Sequence, residues 1–236
     1  MIDIRYTQRL KIFEAQTANA RELQLTWKNL NRQINASILS GDERSTKTLT
    51  RLLAVVYCAM AEVYFSKVIH IPYGLNLDHM EQIKVAGKNN TVNGWKKCVE
   101  LALRNVEGKS NYAPNVKKKL DFLIDRYIFD PSLIRNKLAH GQWATALNRE
   151  NTATNSDITS EIADLCVVEL YRRKAALEKM ADILEDLISS PRKAQPRDYW
   201  SHITALEKDQ EVMSAWTFQK KVDDLFKKRS YAKKAI

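Results

Sequence analysis

Apolar residues recur along this chain at the three-to-four-residue spacing of helices, and the period-two alternation of half-buried strands persists nowhere. Ala20, Leu23, Trp27, Leu30, Ile34 and Ile38 mark one face of a first long helix over 5–39, and Gly41-Asp42 is expected to break it. A second helix over 46–70 carries Leu49, Leu52, Leu53, Val56, Met60 and Val63, with further apolar residues on nearly every side, so it is expected to be the central, buried helix. Pro72, Gly74, Gly87 and Asn89-Asn90 make 71–90 a loop with one short helical turn. A third helix is expected over 92–106, ended by Gly108, and Pro114 opens another that runs to about 128. Asp130 suits an N-cap, Pro131 the first helical position and Gly141 the left-handed residue that closes a helix, which predicts a short helix over about 131–140. The polar stretch 145–157 reads as a loop, placed to lie over whatever that short helix binds. A long helix over 158–189 bears the stripe Ile162, Cys166, Leu170, Leu177, Met180, Leu184 and Leu187, and after Ser190-Pro191 a last helix covers 197–229.

Composition agrees with an all-α helical bundle of a single domain over 1–236, with long N- and C-terminal helices. The 6 Gly and 5 Pro fall almost entirely between stretches rich in Leu, Ala, Lys, Glu and Arg, and 44% hydrophobic residues supply a core. No run of about 18 apolar residues exists, and Met-Ile-Asp-Ile-Arg lacks the layout of a signal peptide. A soluble, cytoplasmic protein with no membrane partner is the expectation. Cys58, Cys98 and Cys166 are odd in number, far apart and embedded in apolar helical stretches, as reduced core residues would be. The formal charge of +10 points to a polyanionic partner such as nucleic acid or an acidic protein. Much of the excess lies in Lys117-Lys118-Lys119 and in the tail from Lys220 to Lys234, where a solvated face explains it equally well.

Several chemistries fail on spacing. Gly108-Lys109-Ser110 resembles the end of a phosphate-binding loop, but Leu103 stands where that loop needs a Gly, so a helix-end turn is expected. Asp182, Glu185 and Asp186 share a helical face, as do Asp121 and Asp125, without a His to complete a metal site, and His70, His79 and His202 have no partner at ligand spacing. Neither metal nor cofactor is expected. One short segment keeps its interest: Ile-Arg-Asn-Lys-Leu-Ala-His-Gly-Gln-Trp over 134–143. Asn136 and His140 are four apart on one helical face, and Arg135 is one step aside with an arm long enough to swing back, so the three can converge. An Arg fork matches a phosphate, and a His in the last turn is favoured as imidazolium by the helix dipole and titrates near neutrality. The bland alternative is an exposed helix end whose His caps the last carbonyls. Glu62, a charge within an apolar run, needs a partner if buried, and Arg135 or His140 can supply it; the alternative is a Glu on the helix's exposed strip.

An Arg five residues before a His is a weak motif by itself. The fuller string, Arg135-Asn136, then Ala139-His140-Gly141, then Trp143, on a short helix, resembles the signature of the HEPN superfamily of small helical prokaryotic nucleotide-binding and ribonuclease domains. The spacer between Arg and His is Asn136, Lys137, Leu138 and Ala139. The buried helix at 46–70, the motif late in a following helix and the long helix after it are similar to that family's layout, so the resemblance covers about 45–190 and leaves the two terminal helices as extensions. It implies a metal-independent endoribonuclease, a toxin or phage-defence effector, that cuts RNA by attack of the 2′-hydroxyl and leaves a 2′,3′-cyclic phosphate. His140 is then the general acid or base, Arg135 holds the scissile phosphate and Asn136 orients it, with Glu62 in support. The resemblance further implies a homodimer with a composite site, and an antitoxin or partner effector protein. Lys137 and Lys117-Lys118-Lys119 are candidates to track the RNA backbone, and Trp143 or Tyr112 to stack on a base. The competing reading is a non-catalytic module of the same type that binds nucleotide, RNA or a protein partner.

Overall fold

The computed structural model describes residues 4–88, 90–104, 112–189 and 196–234, without the side chains of 4, 5, 112, 196–200 and 231–234. The described residues form an all-α bundle, with a lone bridge between Leu147 and Thr154 in place of any strand. Its axis is α2 (Glu43–Ile69), which packs against α1 (Ile4–Ser40), α6 (Asp130–Ala139) and α8 (Val167–Ser189). By length and composition α2 is apolar enough to cross a membrane; here Leu53, Tyr57, Met60, Tyr64 and Val68 are buried in the bundle, while Leu52 is exposed. Gly41 at φ 75° closes α1 by donating to Ile38 O while the next N–H, of Asp42, reaches back to Ser37 O. Asp42 then caps α2, its carboxylate accepting from Ser45 N at 2.9 Å. Two adjacent residues thereby end one long helix and start the next. α4 (Thr91–Leu103) contributes the fully buried Trp95 and Cys98, and it crosses α3 closely because Gly94 and Gly87 face each other.

Four expectations change. The segment 71–90 holds α3 (Leu77–Gly87), a helix of three turns: Asn76 accepts from His79 N at 2.8 Å, and Ile83 anchors the helix in the core. The long helix over 158–189 is two, α7 (Ser156–Ala163) and α8, because the first packs on α6 and the second on α2. The last helix likewise divides into α9 (Pro196–Ser214), lying on α8 and α5, and α10 (Phe218–Lys234), lying on α1 and α8, with Thr217 Oγ1 accepting from Lys220 N at the start of α10. The expected turns at Gly108-Lys109-Ser110 and Ser190-Pro191 lie outside the described residues.

The fourth change bears on the motif. Asp130 does not cap a new helix: its φ and ψ are −54° and −48°, and it continues the helix that begins as α5 (Tyr112–Ile124). Between α5 and α6 the five residues Asp125–Phe129 form a π-helical turn, with Asp130 N donating to Asp125 O. Pro131 explains the widening, since a proline has no N–H to give and its ring crowds the carbonyl four residues back. That carbonyl belongs to Tyr127, and the Tyr57 hydroxyl donates to it at 2.7 Å from α2. The proline is therefore accommodated inside one continuous helix, at the point where α2 touches it.

A candidate phosphate site between α2, α4 and α6

Beyond Pro131 the helix runs on to Ala139 with Ile134 and Leu138 buried, which leaves Phe129, Leu133, Asn136 and His140 along its exposed side. His140 is the C-cap, and Gly141 follows at φ 77°. Gly141 N donates to Leu138 O and Gln142 N to Lys137 O, the paired bonds of a glycine-terminated helix. The expected end of the helix is thus the observed one, and the His side chain projects from it into solvent.

Arg135 lies on the flank of α6 that faces α2, where its Nη2 donates to Glu62 Oε1 at 2.5 Å. Of the two partners offered for Glu62, the structure selects Arg135. The pair is partly in solvent, with side-chain exposures of 33% for Arg135 and 54% for Glu62, so it contributes at most about 1 kcal/mol. Arg135, Asn136 and Glu62 open onto a cavity of about 310 Å³ whose lining also includes Cys58, Thr91 and Trp95. His140 is not among its lining residues. Within one chain, Arg135 and Asn136 of the motif meet Glu62 of α2, and the acid-base candidate His140 stands apart at the outer end of α6. Among the described residues neither the His140 imidazole nor the Asn136 amide has a hydrogen-bond partner.

Cys58 is close to Arg135, but burial pushes its thiol up to about 12 despite the guanidinium alongside, so it is no nucleophile near neutral pH. All three cysteines are free. Among the described residues no group of three or more His, Cys, Asp or Glu side chains is placed to share a metal ion.

The proposed RNA contacts divide. Lys137 donates to Leu147 O at 2.6 Å and ties the 145–157 loop to the end of α6, helped by Gln142, whose amide oxygen accepts from Leu147 N. Asn148 holds that loop in a tight turn by accepting from Thr152 N at 2.9 Å. Trp143 is partly buried against the core and donates to Leu138 O at 2.9 Å, which makes it a fixed wedge at the helix end and a poor stacking platform. The Tyr112 side chain lies outside the described residues. Lys117 pairs with Asp121 and Lys119 with Glu207. Lys118 is exposed and lines, with Phe122 and Arg126, a groove between α5 and α9 of about 710 Å³. Lys118 stands about 25 Å up the same helix from Arg135 at 1.5 Å per residue, so it belongs to a different surface from the cavity.

Thr91 and Trp95 carry no sequence signal of a site: they lie some forty residues from the motif and reach it only because α4 packs against α5 and the π-turn. Comparison with protein-family models, with curated proteins and with solved structures finds no match. The functional argument therefore rests on these residues and their placement.

Proposed function

We propose that this chain is a metal-independent endoribonuclease of the HEPN type, a toxin or phage-defence effector that acts as a homodimer. The observation that carries the reading is the pairing of a clasped but solvent-accessible guanidinium, Arg135, with an unpartnered imidazole, His140, on one face-and-flank of a helix ended by Gly141. A phosphate oxygen can take Glu62's place on the Arg135 fork, which suits a bidentate hold on a phosphodiester and stabilises the charge that grows on it.

A single protomer leaves His140 outside the cavity and without a group to fix its tautomer, so one copy is half a site. The exposed side of α6 supplies the means of completing it. Phe129 and Leu133 are large apolar residues that are 37% and 36% exposed, and Asn136 and His140 follow at helical spacing. Packing this stripe against the same stripe of a second copy across a two-fold axis buries the two apolar residues and draws two His140 and two Arg135 side chains together. One His140 then accepts the 2′-hydroxyl proton as that oxygen bonds to phosphorus. The bond to the 5′-oxygen breaks, and that oxygen leaves with a proton from His140 of the second copy. The products are a 2′,3′-cyclic phosphate and a 5′-hydroxyl.

Incubation with mixed RNA in excess chelator tests the reading, with Arg135→Ala and His140→Ala alongside. The expected result is cleavage by the wild type alone. Intact RNA with the wild type, or cutting by both variants, removes the catalytic assignment. The separation of His140 from the cavity favours a second reading, a non-catalytic module that binds RNA, a nucleotide or a partner protein through Arg135. Under that reading the wild type binds RNA without cutting it, and only Arg135→Ala weakens the complex.

A further inference from the structure

We infer that the groove between α5 and α9 binds single-stranded RNA, with a base stacked on Phe122 and the backbone held by Lys118 and Arg126. This rests on RNA being the substrate at Arg135 and adds a second point of attachment, about 20 Å along the same helix from that site. Phe122 is 60% exposed, so its ring is open to a ligand. Lys118 stands one helical turn before it and Arg126 one turn after it, both exposed, and all three line the groove of about 710 Å³. An open aromatic face between cations is the arrangement that single strands use, since every base has a flat face to stack and every step brings a phosphate.

The nearby charges leave these two cations in surplus. Lys117 takes Asp121, Lys96 takes Asp125 at 2.6 Å, and Lys119 takes Glu207 at 2.7 Å. Among the described residues no carboxylate pairs with Lys118 or Arg126. Asp130, one turn beyond Arg126, and Glu211, across the groove on α9, bind neither. The two rims therefore differ: α5 presents free cations, and α9 presents Glu207 and Glu211. Phosphates are repelled from the α9 rim and kept to the α5 rim, which turns the bases towards Phe122 and the apolar floor at Leu123 and Leu206. A single strand carries its charge along one edge and its flat faces along the other, and so matches this asymmetry. An acidic peptide with carboxylates on both sides would meet Glu207 and Glu211.

The test is fluorescence anisotropy of the full chain with a labelled 2′-O-methyl RNA of about twelve nucleotides, which a reaction needing a free 2′-hydroxyl cannot cut, and with inorganic polyphosphate as competitor. Phe122→Ala is expected to weaken the strand about tenfold and to leave polyphosphate unchanged. Changing Lys118 and Arg126 together to Gln is expected to weaken both ligands and to lower the slope of log affinity against log salt by about 1.4. The Phe122→Ala loss is expected to be the same in an Arg135→Ala background, because the two positions are too far apart to couple. All three groove side chains are exposed, so unchanged melting curves are expected of these variants. Wild-type affinity in Phe122→Ala, an equal loss for the strand and polyphosphate, or a wild type that does not bind the strand overturns the groove. Cleavage of unmodified RNA by the same preparations separates the two claims: cleavage with binding indifferent to Phe122 defeats the groove alone, and Phe122-dependent binding without cleavage defeats the ribonuclease alone.

Discussion

The π-turn before α6 makes a quantitative prediction about Tyr57. Its side chain is 1% exposed, and its hydroxyl donates at 2.7 Å to Tyr127 O, the carbonyl that Pro131 leaves without its usual helical donor. In Tyr57→Phe the ring still fills its space, but a buried carbonyl loses the hydroxyl that donates to it, at a cost of about 1–3 kcal/mol. A chain of this size loses about 2–4 °C of melting temperature per kcal/mol, so a fall of about 4–8 °C corresponds to the middle of that range. Pro131→Ala changes the answer in a specific way. The substitution restores a backbone N–H that can reach the Tyr127 carbonyl, and Tyr57→Phe in that background is expected to cost about 1 kcal/mol less. Urea denaturation of the four proteins, followed by far-ultraviolet circular dichroism, measures the cycle. Equal costs in the two backgrounds, or a single-variant loss below about 0.5 kcal/mol, refute the claim that Tyr57 replaces the helical donor displaced by Pro131. The consequence reaches the site, because an extra residue in the turn rotates everything after it by about 100°. Arg135 faces Glu62 only in that register.

Two further outcomes follow from the same geometry. Arg135→Ala removes a partly exposed ion pair, so unfolding free energy is expected to change by no more than about 1 kcal/mol, while RNA cleavage falls by about 10²–10³-fold; a large stability loss with proportional activity loss would make Arg135 structural. Burial, with Arg9 nearby, holds the His70 imidazole below its ordinary value of 6.5, and its Nδ1 faces Ser66 O at 2.6 Å. The unfolded chain then binds this proton first, so the His70 contribution is present above about 6.5 and is lost as pH falls to the lowered folded value. His70→Gln is expected to flatten thermal stability between neutral and mildly acidic pH, and an unchanged slope contradicts this.

The ends of α1 and α6 were legible because each is written in local chemistry, Gly41 and Gly141 in the left-handed region, whereas α2 starts three residues before the expected 46 because Asp42 caps it. α3 was missed because Pro72 and Gly74 drew attention from the Asn76 cap that starts it. Asp130-Pro131 misled because an N-cap followed by proline and a proline absorbed by a π-turn look identical in sequence; the difference is Tyr57, seventy-odd residues earlier. The breaks at 164–166 and 215–217 contain no Gly or Pro, and only the different packing partners of α7 and α8, and of α9 and α10, put them there. In the candidate site, Glu62 lies on the exposed strip of α2, the alternative its position in the sequence left open, and it pairs there with Arg135. That Arg135 would share a cavity with Trp95 while His140 stood outside it depends on how α4 meets the π-turn, which no local pattern records.

The central claim is that the 2′-hydroxyl of RNA is the nucleophile and that Arg135 and His140 serve its attack. The most direct measurement uses an RNA oligonucleotide with one mapped cleavage position, compared with the same oligonucleotide carrying a single 2′-deoxy nucleotide immediately before the scissile phosphate, in excess chelator. Loss of cutting at that position alone, with cyclic phosphate and 5′-hydroxyl ends on the unmodified RNA and no cutting by His140→Ala, is the predicted result. Continued cutting of the deoxy-substituted strand, or products that carry a 5′-phosphate, would contradict the account.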